Sequence, residues 1–323
     1  MYRRLMGQGL VQLGQLENPP VAAGCGPTRR RDPKPDWLKV KMPGGGRYEQ
    51  VKQTLRELNL VTVCEEASCP NVGECWGSGT ATVMLMGEVC TRGCRFCDVT
   101  SGVPQPLDPL EPRHLAEAVS RLGLDYLVVT SVNRDELEDG GASHFAQAIA
   151  LLKRSAPATL VEVLTPDFQG RKFALDLIID AAPTVTAHNV ETVARLTPTV
   201  RDRRAGYRQS LDVLEYYKSG GMKTKSSIML GVGETHDEVV QAMKDLRSVG
   251  CDILTLGQYL RPSEKHLPVA EFVRPEAFAA LEQEGLSLGF RFVAAGPLVR
   301  SSYKAGEFFI QGWVEKERAA HPE

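Results

Sequence analysis

The sequence predicts an α/β protein organised as a full or partial TIM-type β/α barrel, and two observations carry that prediction. Seven apolar, β-branched runs recur along the chain, at Thr82–Met86, Tyr126–Val132, Leu160–Leu164, Thr184–Ala187, Ser226–Leu230, Asp252–Leu256 and Arg291–Ala294. Helix-like stretches separate them, among them Arg113–Leu122, His144–Ser155, Tyr207–Lys218, His236–Val249 and Pro275–Leu288. Strands alternating with helices pair in parallel through right-handed crossovers. Six or seven such units suit a full or partial barrel better than a small open sheet, and in barrels the chemistry gathers at the C-terminal ends of the strands.

The parts on either side of the barrel read differently. Residues 1–47, rich in Gly, Pro and Arg, form a flexible or extended leader. A helical pattern follows from Tyr48 to Leu58, with Val51, Leu55 and Leu58 on one face. Residues 48–79 then make an N-terminal extension whose Cys64–Trp76 block has neither periodicity and reads as a loop wrapped around something. The barrel occupies residues 80–295, and residues 296–323 form a C-terminal segment expected to cover its mouth.

Bulk properties narrow the function. The 38 basic and 40 acidic residues nearly balance, which argues against a broad nucleic-acid footprint. No apolar run approaches the roughly 20 residues of a membrane-spanning helix, so a soluble, cytoplasmic protein is expected. A mitochondrial or plastid matrix protein is the alternative if residues 1–33 are a transit peptide.

Cysteine placement is the strongest signal. Of eight cysteines, six fall between residues 64 and 97. In a long chain without a secretory signal such a group points to metal rather than to disulfides. The second triplet is Cys90-Thr-Arg-Gly-Cys94-Arg-Phe-Cys97, placed just after the first barrel strand. Three thiolates fit three corners of a four-iron cubane and leave one iron open to a small molecule. Zinc would want four closed ligands, usually in paired spacings. The first triplet, Cys64, Cys69 and Cys75, is again one ligand short. A zinc site completed by a distant histidine and a structural cluster both remain open for it.

The C-x3-C-x-Phe-C signature resembles the radical S-adenosylmethionine superfamily. The wider pattern is similar to the lipoyl synthase family: Cys64-Glu-Glu-Ala-Ser-Cys69-Pro-Asn-Val-Gly-Glu-Cys75-Trp76, Asp139-Gly140-Gly141-Ala142, Thr165-Pro166-Asp167-Phe168, His188-Asn189-Val190-Glu191-Thr192, Gly257-Gln258-Tyr259-Leu260-Arg261-Pro262 and Arg300-Ser301-Ser302-Tyr303. These motifs run in family order from about Trp37 to Lys304.

That resemblance implies a partial TIM-type (β/α)6 radical SAM barrel with two [4Fe-4S] clusters. The cluster on Cys90, Cys94 and Cys97 would bind S-adenosylmethionine and release a 5′-deoxyadenosyl radical. The auxiliary cluster on Cys64, Cys69 and Cys75 would take Ser302 as its fourth ligand. It would supply two sulfur atoms to C6 and C8 of an octanoyl chain on a carrier-domain lysine, in lipoate biosynthesis. Implied partners are octanoylated lipoyl domains of dehydrogenase-complex E2 subunits and the glycine-cleavage H protein, a ferredoxin or flavodoxin reductant, and a cluster-repair carrier. A methylthiotransferase, a biotin-synthase-like enzyme and an iron–sulfur electron carrier are the competing functions.

Several other residues are candidates for holding S-adenosylmethionine. Asp139, Gly140 and Gly141 follow the second strand, with Glu136 a neighbouring acceptor, and a solvated acidic turn is the competing reading. Gly231 and Glu234 end the fifth strand, where glycine permits close approach to the backbone but equally makes a tight turn. Asn189 is placed at the same face; its neighbour His188 reads as a satisfied core histidine on sequence alone. Cys251 reads as a small buried hydrophobe and Cys25 as incidental. The arginines at 29–31 and 203–204 are ordinarily solvated faces, with docking of an acidic carrier as the alternative.

Overall fold

A computed structural model describes residues 34–40, 44–66, 69–302 and 307–320. Most of the leader, including Cys25 and Arg29–Arg31, and also Tyr303 and Lys304, lie outside the described residues. A 3-10 turn at Asp36–Leu38 precedes α1 (Gly46–Glu57), β1 (Val61–Thr62), α2 (Val63–Glu66) and α3 (Val72–Gly77). The Cys64–Trp76 block is therefore not the loop that its sequence suggests. It holds two helices of 4 and 6 residues, each under two turns and so too short to show a 3.6-residue period.

The repeating part follows as β2 (Thr80–Leu85), the short pair β3 (Val89–Cys90) and β4 (Thr100–Ser101), α4 (Glu111–Leu122), β5 (Tyr126–Ser131), α5 (Ala142–Ser155), β6 (Leu160–Leu164) and α6 (Lys172–Ala181). It continues with β7 (Val185–Ala187), α7 (Thr197–Val200), α8 (Tyr207–Ser219), β8 (Thr224–Leu230), α9 (His236–Ser248), β9 (Ile253–Gln258), α10 (Pro275–Ser287), β10 (Phe292–Gly296) and α11 (Glu307–Ala320). All seven runs read from the sequence are strands.

The main sheet has the order β1-β2-β5-β6-β7-β8-β9-β10. Every pairing is parallel except that of β1 with β2. No pairing joins β10 back to β1 among the described residues, so the barrel is partial, with an open seam between those edges.

Alternation along each strand separates the two faces of the sheet. Leu127, Val129, Val161 and Val163 point outward against Phe145, Ile149, Leu152 and Ile178. Ile228, Leu230, Leu254 and Leu256 pack likewise against Val239, Met243, Leu246, Phe278 and Leu281. The alternate residues Tyr126, Val128, Leu160, Val185 and Ile253 face the lumen and pack around Ile310 of α11.

The C-terminal segment divides in two. Gly296–Ser302 leaves the mouth end of β10. The helix α11 instead seats at the opposite end, where Lys223 and Arg291, just before β8 and β10, lie over the Trp313 ring at 5.2 and 4.5 Å and Lys223 pairs with Glu317 at 2.6 Å. The expectation of a cover over the mouth thus needs correction for α11. Its Ile310, Trp313 and Val314 form an i, i+3, i+4 stripe, and the apolar space that accepts it is the lumen floor. Beside that floor Lys225 contacts both oxygens of Glu162 at 2.8 Å, and the Tyr126 hydroxyl donates to Glu162 at 2.6 Å. The buried pair therefore has its charge matched and its lone pairs engaged.

Candidate functional site

The loop bearing Cys90, Cys94 and Cys97 follows β2 at the mouth, and nearly every neighbouring mouth loop is bonded to it. Thr91 N donates to Asn133 O after β5 at 3.1 Å, and Arg95 N donates to Val200 O after β7 at 3.0 Å. Leu267 N, after β9, donates to Arg95 O at 3.2 Å, and the Gly93 N–H reaches the Asp202 carboxylate at 2.9 Å. His266 Nε2 lies 3.0 Å from the Cys97 carbonyl. A loop whose own regular structure is only the short β3–β4 pair is thereby fixed from several sides.

Arg92 anchors it most firmly. Its buried guanidinium donates to Asp135 at 2.7 and 2.8 Å and to Asp167 at 2.7 and 2.8 Å. These carboxylates follow β5 and β6, so one planar fork ties the cluster loop to two others. Burial alone would raise the Asp167 carboxyl, but the Arg92 bonds and charge more than offset it and hold it down at about 2. Arg204 supports the same corner. It donates to Thr91 O at 2.6 Å, and its bonds hold Asp202 well below the usual carboxylate range.

Backbone donors aim at the sulfurs themselves. Cys90 Sγ accepts from Arg92 N at 3.4 Å and Asn133 N at 3.3 Å, and Cys94 Sγ accepts from Asp202 N at 3.3 Å. Burial pushes the Cys97 thiol up to about 12, with the charges of Cys94 and Cys90 adding to the rise. Such a thiol stays neutral until a metal displaces its proton, and the N–H groups then stabilise the thiolate formed. Among the described residues no three His, Cys, Asp or Glu side chains converge closely enough for one metal ion. In a four-iron cubane each thiolate would bind a different iron.

The first triplet lies along the open edge of the sheet. Cys64 and Cys75 are buried on α2 and α3 beside β2, with Trp76 packed in the same cluster and stacked on Tyr48 of α1 at 5.1 Å. Burial pushes Cys64 up to about 12, and the charge of Cys69 adds to it. Across the seam comes the strap Gly296–Ser302. Asn71 Nδ2 donates to Leu298 O at 2.6 Å, and the Arg300 guanidinium is close enough to Cys69 to interact with its charge. The structure thus brings the segment ending in Ser302 to the triplet from more than 200 residues away in sequence.

The other expected cofactor contacts are placed as follows. Asp139 caps α5, accepting from Gly141 N at 2.9 Å and Ser143 N at 2.8 Å. Gly140 and Gly141 have φ of 62° and 91°, and a Cβ on Gly141 would meet Met86 Sδ at 2.2 Å. Glu234 accepts from Gly231 N and Val232 N within its own turn. A Cβ on Gly231 would strike Gln258 Nε2 and Glu271 O, both at 2.3 Å. Glu136 is engaged by Arg134. Asn189 stands just past β7 and donates to Glu191 at 3.1 Å.

His188 is a satisfied core histidine, bonded to Thr165 O and Ser210 Oγ at 2.9 Å each; burial, then the nearby Arg201 charge, lower it to about 4. Cys251 is fully buried, in line with its reading as a small hydrophobe. Sequence reasoning gave no role to Arg92, Asp135, Asp202 or His266. The available signal was their position, each in or beside a loop that leaves the C-terminal end of a strand.

Comparison with known proteins fits this geometry. The family model described as the radical SAM superfamily matches residues 84–246, and that of the N-terminal domain of lipoyl synthase matches residues 26–69. Among solved structures, methylornithine synthase (PylB) shares the fold at TM-score 0.52 and 11% identity, over 82% of this chain and 84% of that one. The maturase HydG does so at TM-score 0.53 and 13% identity, over 77% and 63%. A partial barrel with a three-cysteine loop after its first parallel strand places the chain in the radical SAM superfamily.

Closer relatives narrow this further. The lipoyl synthase of Myxococcus xanthus is 62% identical over 287 residues, which is 88% of this chain and 96% of that protein. That of an Anaeromyxobacter species is 64% identical over 86% of this chain and 96% of its own length. The mitochondrial lipoyl synthase of Aedes aegypti is 57% identical over 90% and 75%. The chain belongs to the lipoyl synthase family.

Proposed function

We propose that this enzyme inserts two sulfur atoms, at C6 and C8, into an octanoyl chain carried on a lysine of a lipoyl carrier domain. The observation that carries the proposal is the pairing of two cysteine triplets, one in a loop at the barrel mouth and one on the short helices beside the seam, with the strap that ends in Ser302 bonded to the second through Asn71. When bound, the mouth cluster with S-adenosylmethionine supplies 5′-deoxyadenosyl radicals, and the auxiliary cluster supplies sulfur.

The chain's own residues do the rest. Cys90, Cys94 and Cys97 would hold three corners of one cluster, and the N–H groups of Arg92, Asn133 and Asp202 orient the sulfurs of Cys90 and Cys94. Cys64, Cys69 and Cys75 hold the other, with Ser302 as the oxygen ligand, a harder donor than its thiolate companions. Asn189 is the side chain we assign to S-adenosylmethionine. Asp139, Gly140, Gly141, Gly231 and Glu234 shape the loops around it. The α11 floor and the Glu162–Lys225 pair close the lumen to water from below, which protects a reactive radical.

Exposed Arg203 and Arg204 at the rim suit an acidic carrier domain, with E2 lipoyl domains and the H protein as the proposed carriers. A ferredoxin or flavodoxin supplies electrons, and a separate carrier rebuilds the auxiliary cluster. No helix of the described residues is long and apolar enough to cross a membrane. A cytoplasmic location is proposed on the likeness to bacterial relatives, against a matrix location on the likeness to mitochondrial ones.

Anaerobic reaction of the reconstituted protein with S-adenosylmethionine, reductant and an octanoyl-lysine peptide tests the reading. The expected product gains two sulfur atoms by mass. Formation of 5′-deoxyadenosine with no sulfur transferred, at full loading of both clusters, contradicts it.

A further inference from the structure

Ser302 sits in a segment with no regular structure, so something other than a helix or sheet must set its position. The strap leaves β10 through a turn in which Val299 N donates to Gly296 O at 3.1 Å. Two contacts then hold it from opposite sides of the seam. On the extension side, the side chain of Asn71, only 4% exposed, donates to Leu298 O at 2.6 Å. On the barrel side the Val299 carbonyl enters a space that only a missing side chain provides. A Cβ on Gly257, in β9, would lie 2.0 Å from Val299 O and 3.0 Å from Val299 C. The obstruction would be backbone, which cannot rotate away as a side-chain tip can. Arg300 adds a clip, donating to Val299 O at 2.7 Å and Gln258 O at 3.3 Å.

We propose that Asn71 and Gly257 are positioning residues that together seat the strap, Asn71 by gripping the Leu298 carbonyl and Gly257 by leaving the room that Val299 O occupies, and that this seat delivers Ser302 to the first cysteine triplet. The inference rests on the reading of Ser302 as a cluster ligand for its purpose, but the seat itself is a property of the chain. Gly257 has an ordinary strand φ and is neither in a turn nor at the mouth loop's cysteines; its lack of a Cβ is explained by the strap alone. Asn71 lies between Cys69 and Cys75, so the same side chain that fixes the strap also fixes the loop that the strap must meet. The seam left open between β1 and β10 is bridged at this point.

The test is hydrogen–deuterium exchange of the anaerobically reconstituted full chain, read on peptides covering 296–302 and, as an internal control, 90–97. Gly257→Ala and Asn71→Asp are compared with the unsubstituted protein; the aspartate replaces a donor with an acceptor facing Leu298 O. Exchange in 296–302 is expected to speed up by about tenfold or more in both variants, the effect of losing one buried hydrogen bond or its steric equivalent, with 90–97 unchanged. Unaltered exchange of the strap in either variant overturns the proposal, and so does equal acceleration in both peptides, which reports general loosening. Ser302→Ala, run in parallel, separates the two readings. If it retains full iron and full sulfur insertion, Ser302 is not a ligand, while the seat stands or falls on the exchange data alone.

Discussion

Arg92 shows how a single side chain positions chemistry it does not perform. Its fork meets two carboxylates from two strands' loops, with the site's cysteines two residues away on either side. Lysine offers one nitrogen in place of three, so it cannot satisfy Asp135 and Asp167 together. Arg92→Lys is expected to cost about 2 kcal/mol, the penalty of a buried carboxylate short of a donor, seen as a lower denaturant midpoint with the far-ultraviolet spectrum unchanged. A midpoint equal to that of the unsubstituted protein contradicts this. The pH dependence has a definite sign. Asp167 is depressed from an ordinary 3.8 to about 2, so its contribution is complete above the ordinary value and disappears as pH falls through about 2. The stability gap between Asp167→Asn and the unsubstituted chain should therefore close towards pH 2; a gap that stays constant shows the carboxylate does not act by its charge.

At the scale of elements, the seven strands were legible because each is a buried parallel strand, a continuous apolar run between turns. Their positions alone place the cysteine loop at the mouth. The helices α2 and α3 were not legible, since neither has enough residues to repeat a face. Nor was the destination of α11. Its stripe of Ile310, Trp313 and Val314 says that the helix is covered but not by what, and only the lumen's unfilled floor decides that. The local duties of Asp139 and Glu234 were hidden for a related reason: an acidic residue near glycines reads alike whether it caps a helix or awaits a ligand. The α11 plug carries its own prediction. Ile310→Ala should destabilise the chain by about 3 kcal/mol through the cavity it leaves, measured by denaturant unfolding, while iron on both triplets is unchanged because the helix lies at the far end of the barrel. Loss of iron without loss of stability would place α11 near the clusters instead.

The described residues 80–296 form a barrel with a gap, and the first cysteine triplet lies beside that gap. A closed barrel would have no edge for the first triplet to lie along. Here β1 and β2 present one edge, β10 the other, and the strap reaches from the second to the first through the Asn71–Leu298 bond. On the proposed reading each triplet would leave one iron without a cysteine, and the two vacancies would be filled differently, by a small molecule at the mouth and by the Ser302 oxygen at the seam. The most direct test is an iron count on anaerobically reconstituted chain, with and without Cys64, Cys69 and Cys75 replaced together by alanine. Two four-iron cubanes predict about eight irons for the intact protein and about four for the variant. Four in the intact protein, or eight retained in the variant, would contradict the account.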